Sequence, residues 1–514
     1  MKLRWVSIQG YRSIRDIKLD IDDFMVFVGQ NNHGKSNIFY AIDLFLSSGT
    51  RLITSDMLFQ CSSESSCNEV VIEAKFDELS HAEIDKLGPW TVEGKLTVSK
   101  KYSFDADNKS QPPVYEAVMK VPKEPWLHED FQDYKNKNII SELPITEFIP
   151  PSGQITKEIY KNAIKEYLEK YSEITEWIIE KRPNPAGFNK VLDGYLPEFH
   201  LIPAVCDAND EIKSSGNAIL SQILGVIIAR IASKNPVFQN LQERIQEIKK
   251  LIEGETPEQK LTEIREFEER LKVELSQWEV DPSIVIDPPE IEKLFELGTN
   301  LRLNDGIETS VNRKGHGLQR SLIMALIRIL ASETKQSEIT ENEEQRQRCH
   351  IFAFEEPEIY LHPQMCKATY ESLKQIAVTD QVMICTHSPH FIDIEDYRHI
   401  VIVRKPNLED GTKTHSIQDE LFVDEEKKHF NMIQFFNPDR NELFFARKVV
   451  LVEGPTEKTI LPLLAKRLEC FDHSVSIINC EGKFNIVLYE HVLNAFDIFY
   501  VPIYDEDPIP PELE

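Results

Sequence analysis

Gly29-Gln30-Asn31-Asn32-His33-Gly34-Lys35-Ser36-Asn37 carries the pattern Gly-x-x-x-x-Gly-Lys-Ser in full. That spacing suits a loop whose backbone N–H groups and following helix N-terminus cradle a phosphate chain, with Lys35 on the outer phosphates and Ser36 on a Mg²⁺ ion. Far downstream, Ile351-Phe-Ala-Phe-Glu355-Glu356-Pro is an apolar run ending in two acids. There the first carboxylate, Glu355, can hold the metal shell while the second, Glu356, polarises an attacking water. A second apolar run, Val382-Met-Ile-Cys-Thr386-His387, ends in Thr-His. Between the two loops, Asn312 to Arg320 places Gly315, Gly317 and Gln319 at the opening of an apolar helix marked by Leu322, Ile323, Leu326 and Ile327. Glycines at a helix N-terminus can meet a phosphate from outside the first loop, although Gly-x-Gly is also an ordinary tight turn.

Another set of acids closes the chain. Lys448-Val-Val-Leu-Val-Glu453-Gly454-Pro-Thr-Glu457 delivers two glutamates from an apolar run to a helix start, and Ile498 to Tyr504 leads into Asp505-Glu506-Asp507. Carboxylates at the ends of neighbouring parallel strands converge at one sheet edge, where they can hold Mg²⁺ or Mn²⁺ for phosphodiester chemistry. The bland alternative is a turn acid at Glu453 and a solvated acidic cluster at Asp505 to Asp507.

The elements that must position these residues are legible from the apolar pattern. Leu3, Trp5 and Ile8 begin one strand, Ile17 to Ile21 alternates through another, and Phe24 to Val28 is a continuous apolar run suited to a buried strand. Ile38, Ile42 and Phe45 mark the helix after the glycine-rich loop, and Val70 to Phe76 and Lys95 to Phe104 read as antiparallel strands. From Lys157 to Trp278 the composition predicts helix. Leu241, Ile245, Ile248 and Ile252, then Leu261, Ile264, Leu271 and Leu275, flank Gly254-Glu-Thr-Pro257 as an antiparallel hairpin, either a core pair or a dimerisation arm. Strand–helix alternation resumes after Pro282 and runs to Val403, Lys405 to Lys413 reads as a turn-rich connection, and Arg447 onward reads as strand, loop, helix, strand, strand.

At 514 residues the chain predicts two to four domains of about 100–200 residues each. Its 86 acidic against 58 basic residues, a net charge of −28, exclude a protein that holds nucleic acid by a general positive field. Contact with DNA must be local or carried by metal ions. Eight cysteines without a Cys-x-x-Cys pair indicate neither a disulfide framework nor a zinc ribbon, and a reducing cytosol is their simplest home. The most apolar stretch, Ile219 to Ala232, is interrupted by Ser221, Gln222 and Arg230 and falls short of the roughly 20 residues a bilayer requires.

With these features in place, the sequence resembles the ABC-type ATPases of the SMC-like repair group, and more closely the OLD (overcoming lysogenization defect) family. The resemblance rests on LRWVSIQGYRSI, FVGQNNHGKSN, LIPAVCDANDEIKSS, RKGHGLQRSLIMALI, FEEPEIYLHP and CTHSP, and covers most of the chain. Glu355 stands where the general ABC pattern has Asp, as in the OLD variant. The C-terminal acids resemble a TOPRIM domain, the fold shared by topoisomerases, bacterial primases and the nuclease half of OLD proteins.

The resemblance implies an α/β fold: an ABC/SMC-like ATPase head with an inserted helical dimerisation region, followed by a partial TOPRIM domain. Residues 1–156 would form the N-terminal lobe, 157–280 the insertion, 281–420 the C-terminal lobe with the signature-like loop, Walker B and switch histidine, and 440–514 the TOPRIM domain. It implies ATP at Gly29 to Asn37, met across a dimer interface by Gly315, Gly317, Gln319 and Arg320, with Mg²⁺ at Ser36 and Glu355 and with His387 as the γ-phosphate switch. At the TOPRIM end Glu453 would act as acid/base and metal ligand, with Glu457, Asp505 and Asp507 as the other carboxylates for Mg²⁺ or Mn²⁺; Gly482 matches the family's middle glycine.

The implied activity is ATP-controlled, metal-dependent DNA cleavage in anti-phage defence or DNA processing. The implied agent is a cytoplasmic homodimer or higher oligomer, with a helicase-like or other partner protein and no membrane. OLD nucleases continue past this point with further strands, another acidic cluster and a lysine, whereas this chain ends at Glu514. The expectation is therefore an incomplete nuclease half, and an ATPase sensor or scaffold that binds DNA or a partner stays open beside the nuclease reading. A chromosome-repair ATPase would need longer heptad arms than the stretch from Lys35 to Glu355 holds.

Overall fold

The computed structural model describes residues 1–47, 51–61, 67–104, 109–128, 131–150, 155–171, 175–183, 188–204, 261–274, 349–418, 420–421 and 438–505, together with scattered positions in 236–247 and 302–329. In chain order the strands are β1 (Lys2–Tyr11), β2 (Ile14–Asp20), β3 (Phe24–Val28), β4 (Glu69–Asp77), β5 (Thr91–Val92) and β6 (Lys95–Ser103). They continue as β7 (Val114–Pro122), β8 (Trp177–Pro183), β9 (Glu198–Ile202), β10 (Arg302–Asn304), β11 (Glu308–Ser310) and β12 (His350–Glu355). The last are β13 (Gln381–Thr386), β14 (Ile400–Arg404), β15 (Lys413–His415), β16 (Lys448–Val452), β17 (Val475–Asn479) and β18 (Tyr500–Ile503).

The chain divides into two compact units, one of Met1–Leu201, Glu341–Glu358 and Leu373–Glu514, the other of Ile202–Thr340 and Ile359–Ser372. In the first, an antiparallel sheet runs β2-β1-β4-β6-β7-β8, with β5 pairing β6. A second sheet runs β15-β14-β3-β13-β12-β9, and β14, β3, β13 and β12 are mutually parallel. Every residue of β3, β12 and β13 is buried, which is why these strands read as unbroken apolar runs rather than alternating ones. The register aligns Val28 with Thr386 and Cys385 with Glu355, so three strands end together at one edge, where ligands of open parallel sheets bind.

The helix Lys35–Leu46 starts at that edge and buries Ile38, Phe39, Ile42 and Phe45 in the core shared by both sheets. Phe39 meets Phe27 edge-on with ring centroids 5.3 Å apart, and Phe45 stacks on Phe76 at 6.3 Å. Each such buried ring contributes about 1.5–3 kcal/mol.

Two strands fall inside the stretch expected to be helical. β8 is exposed along almost its whole length and pairs β7 from Glu116↔Pro183 to Pro122↔Trp177, so its sheet hydrogen bonds, not an apolar face, make it a strand. β9 joins the edge of the nucleotide sheet beside β12. The expected helices are present at Lys157–Lys170 and Thr262–Glu274, the latter being the second arm of the expected hairpin. The first arm, around Ile248 and Ile252, and Leu275 lie outside the described residues.

A third sheet, β17-β16-β18, is entirely parallel, with the Glu453 strand in the centre. Between β17 and β18 runs a helix, Lys483–Ala495, that the sequence reading omitted; Ile486, Tyr489, Val492 and Leu493 form its buried stripe. The second unit carries the β10–β11 hairpin and the turn of helix at Val311–Arg313.

Candidate functional site

Both glycines of the phosphate-loop pattern are fixed by close neighbours, backbone at Gly29 and side-chain hydroxyls at Gly34. At Gly29, with φ +154°, a Cβ would lie 2.2 Å from the Val403 carbonyl oxygen; at Gly34, with φ +94°, it would lie 2.2 Å from Thr412 Oγ1 and 2.4 Å from Ser13 Oγ. The loop is thus held from behind by β14 and by the turns at Ser13 and Thr412. Thr412 Oγ1 donates to the His33 carbonyl at 2.8 Å, and Asn37 Nδ2 donates to Ser13 Oγ at 2.8 Å. Arg12 reaches Asn37 Oδ1 at 3.4 Å while its guanidinium lies over the Tyr40 ring at 4.9 Å. This places a cation beside the helix start that no motif singled out. Asn31 and Asn32 are exposed at the loop tip, and Ser36 is half-buried in the first helical turn.

Lys35 is 7% exposed, and its ammonium donates to the carbonyls of Gly29 at 2.8 Å and Gln30 at 3.1 Å. Its third partner is His387 Nε2 at 2.9 Å, which must be the acceptor because an ammonium has only protons to give. Burial pushes the Lys35 pKa down, opposed by the fields of Cys385, Glu356 and Glu358. Burial and then the Lys35 charge push His387 below the ordinary imidazole value, opposed by Glu356. Glu356 Oε1 stands 3.8 Å from the same ring nitrogen, and its backbone, at φ 43°, takes a left-handed turn that a glutamate adopts rarely.

Glu358 positions this group although the sequence reading gave it no role. Its Oε1 accepts from Thr386 Oγ1 and from His387 N, each at 2.8 Å, and burial raises its pKa. Glu355 is 8% exposed, with Oε1 buried and without a hydrogen-bond partner among the described residues. An orphaned carboxylate oxygen beside a phosphate loop fits the shell of a hard divalent cation, with Ser36 as the hydroxyl ligand.

In the second unit, the Gly315 carbonyl accepts from Leu318 N at 3.0 Å and Gln319 N at 3.2 Å, starting the helical turn the sequence anticipated. Gln319 is buried and donates through Nε2 to the carbonyls of Val311 at 3.0 Å and Lys314 at 2.8 Å, so its side chain shapes the loop. A Cβ on Gly315 would meet nothing within 4 Å. Arg320 lies outside the described residues.

The third sheet gathers the C-terminal acids at one edge. Glu453 follows β16, Glu457 lies in the first turn of the helix Pro455–Arg467, and Asp505 follows β18. The Glu457 carboxylate accepts from Gly454 N at 3.1 Å, which caps the helix. Gly482 N donates to the Glu453 carbonyl at 2.8 Å, and Asp505 N lies 3.5 Å from Glu453 Oε2. Lys483, at the next helix start, donates to the Asp505 carbonyl at 2.6 Å and adds a cation that the sequence reading passed over. Glu453, Glu457 and Asp505 form no ion pair with a described residue. Oxygen ligands of this kind suit Mg²⁺ or Mn²⁺, although in this structure the three carboxylates are not drawn within 4.8 Å of one another. Asp507 lies outside the described residues.

A cleft of about 710 Å³ separates the back of the phosphate loop from the root of the third sheet, lined by Gln30, Arg404, Lys405, Lys413, Arg447 and Asp497 among others. Arg447 Nε donates across it to Gln30 Oε1 at 3.1 Å. In so acidic a chain, this is a concentration of positive charge.

Residues 1–392 match the family AAA_15, AAA ATPase domain, and residues 444–507 match the overcoming lysogenization defect protein-like TOPRIM domain. The chain is 26% identical to the Old nuclease of Escherichia phage P2 over 516 residues, spanning 97% of this chain and 76% of that protein. It is 34% identical to the OLD nuclease of Thermus scotoductus (strain ATCC 700910 / SA-01) over 162 residues, 30% of each. A crystal structure of an SMC head bound to the C-winged helix domain of ScpA overlaps 82% of this chain and 98% of that one, with a TM-score of 0.40 and 14% identity. The chain belongs to the AAA_15 family of AAA ATPase domains, and its ATPase is followed by an OLD-like TOPRIM domain.

Proposed function

We infer that the protein is an ATP-dependent nuclease of the OLD type, in which nucleotide at the Lys35 loop controls divalent-metal-dependent cleavage of DNA at the Glu453 edge. The observation that carries the control is the Arg447–Gln30 hydrogen bond, 417 residues apart in sequence, which ties the root of β16 to the phosphate loop itself. A change at one end of β16 reaches the other through a strand five residues long.

In the ATPase, the loop N–H groups and Lys35 bind the phosphates, and the ammonium exchanges its carbonyl partners Gly29 and Gln30 for phosphate oxygens. His387, neutral and held by Glu358, keeps an imidazole facing the same point. Glu356 orients and deprotonates the attacking water. Ser36 and Glu355 would hold Mg²⁺, which neutralises phosphate charge when bound. The outward Gly315 turn supports a homodimer in which this loop meets the partner's nucleotide.

At the TOPRIM edge, Glu453, Glu457 and Asp505, with Asp507, would hold Mg²⁺ or Mn²⁺, whose Lewis acidity would activate the scissile phosphate. Glu453 exchanges the proton at the attacking or leaving oxygen, and Lys483 fixes the Asp505 backbone. Seven free cysteines among the described residues support a reducing cytoplasm. No helix among those residues is long and apolar enough to cross a membrane. The test is a pair of assays: plasmid cleavage with Mg²⁺ or Mn²⁺ in wild type and Glu453→Ala, and ATP turnover in wild type and Lys35→Ala. Each variant should abolish its own reaction.

A further inference from the structure

We propose that Glu198, His200 and His350 form a site for a zinc-class divalent metal ion that clips β9 to β12. The ligand atoms of all three lie within 4.8 Å of one another. His200 Nε2 is 3.1 Å from His350 Nδ1, and Glu198 Oε2 is 3.6 Å from that same His350 nitrogen. Ligands about 2.0–2.1 Å from a tetrahedral Zn²⁺ stand about 3.3 Å apart, so these spacings match the edges of such a site with little movement.

The fold supplies this geometry. Glu198 and His200 are two residues apart on β9 and so share a face, and His350 opens the neighbouring strand β12. The backbone joins them again through Glu198 N donating to the Cys349 carbonyl at 3.0 Å. Both imidazoles are buried, at 6% and 2% exposure, and both pack on the Phe352 ring, with centroids at 5.1 and 5.9 Å. Apolar packing behind two imidazoles with a carboxylate in front is an environment that orients ligands. The Glu198 side chain is 41% exposed, which leaves the fourth position to water on the solvent side. The neighbouring Cys349 directs its Sγ to the His350 carbonyl at 3.7 Å and is not among the clustered ligand atoms.

The two histidines share one hydrogen-bonding proton between Nε2 and Nδ1. Metal binding needs both of these atoms as lone-pair donors, so the donor ring moves its proton to its other nitrogen and no net proton is lost. The site's role follows from chain connectivity. The first unit's chain departs after Leu201 and resumes at Glu341, and the paired histidines are 150 residues apart. A metal holding β9 to β12 closes that long excursion at its root, where a cross-link removes the most loop entropy. His350 opens β12 and Glu355 closes it, so the site lies at the opposite end of that strand from the nucleotide loop.

The test uses the full chain stripped of metal and titrated with Zn²⁺ alone, with Co²⁺ in parallel as a spectroscopic probe. Wild type is expected to take up Zn²⁺, to melt at higher temperature with it, and to give the intense visible bands of four-coordinate Co²⁺ without a thiolate charge-transfer band. Glu198→Gln, at a half-exposed position that keeps the fold, should weaken uptake by about tenfold or more, and His200→Gln should remove the bands. Glu453→Gln combined with Asp505→Asn should leave them intact. No four-coordinate Co²⁺ spectrum in wild type, or the same spectrum and affinity in Glu198→Gln, would overturn the proposal.

Discussion

Replacing Arg447 by Ala removes the donor to Gln30 Oε1 at 3.1 Å without touching the Lys35, Glu356 or Glu453 side chains. Arg447 is exposed, so solvent screening brings the bond's contribution below the range for a charged donor to that of an ordinary hydrogen bond, about 1 kcal/mol. A coupling free energy of that size corresponds to about a fivefold effect of one site on the other, and it is reciprocal for binding. Arg447→Ala should therefore reduce ATP's effect on cleavage, whichever its direction, by about fivefold, and reduce DNA's effect on ATP affinity by the same factor. Gln30→Ala should do the same, and the double variant no more than either single one, because the two share a single interaction. The assays are plasmid nicking with and without ATP, and nucleotide binding by calorimetry with and without DNA. An ATP effect unchanged within a factor of two in both variants, or fully additive losses in the double variant, would show that this bond does not couple the two sites.

Other consequences are equally direct. Glu358→Ala leaves Thr386 Oγ1 and His387 N without their acceptor, and should lower the kcat of ATP hydrolysis by about tenfold with little change in KM. Because the folded His387 titrates below its ordinary value, ATPase activity should persist as pH falls through about 6.5 and be lost only at lower pH; an acid limb above about 6.5 would contradict this. Lys100 is 1% exposed, and burial pushes its pKa down to about 8, against the field of Asp193. The unfolded chain keeps that proton up to about pH 10.5, so wild-type stability should rise between about pH 8 and 10.5 relative to Lys100→Met. At pH 7 the variant should be more stable by up to about 3 kcal/mol, measured by urea melts at both pH values.

The nucleotide site was legible because its motif carries several constraints at once: a buried strand, two glycines forced by Val403 and Thr412, and a lysine at the helix start. Glu355, Glu356 and His387 could be found from the apolar runs that precede them, since parallel strands buried on both faces leave no doubt about where they end. The Glu453 edge followed from the same logic. What escaped was whatever depends on contacts across the fold. β8 has no buried face to create a period, and its identity comes from β7 alone. The His200–His350 pair and the Arg447–Gln30 bond join residues 150 and 417 positions apart, distances at which spacing carries no signal. The acidic excess misled least where it was most local. The carboxylates of Glu453, Glu457 and Asp505 lie at the end of the third sheet where the sequence expects metal ligands, and the basic cleft beside Gln30 runs against the chain's overall sign.

If one chain joins an ATPase to a working phosphodiesterase, single substitutions must separate the two activities. Supercoiled plasmid is incubated with wild type, Glu453→Ala and Lys35→Ala, with Mg²⁺ or Mn²⁺ and with chelator, while ATP turnover is measured in parallel. Metal-dependent nicking should disappear in Glu453→Ala while that variant's ATP turnover continues. Nicking unchanged in Glu453→Ala, or ATP turnover with no cleavage by wild type under either metal, would contradict this and favour an ATPase that only binds DNA or a partner.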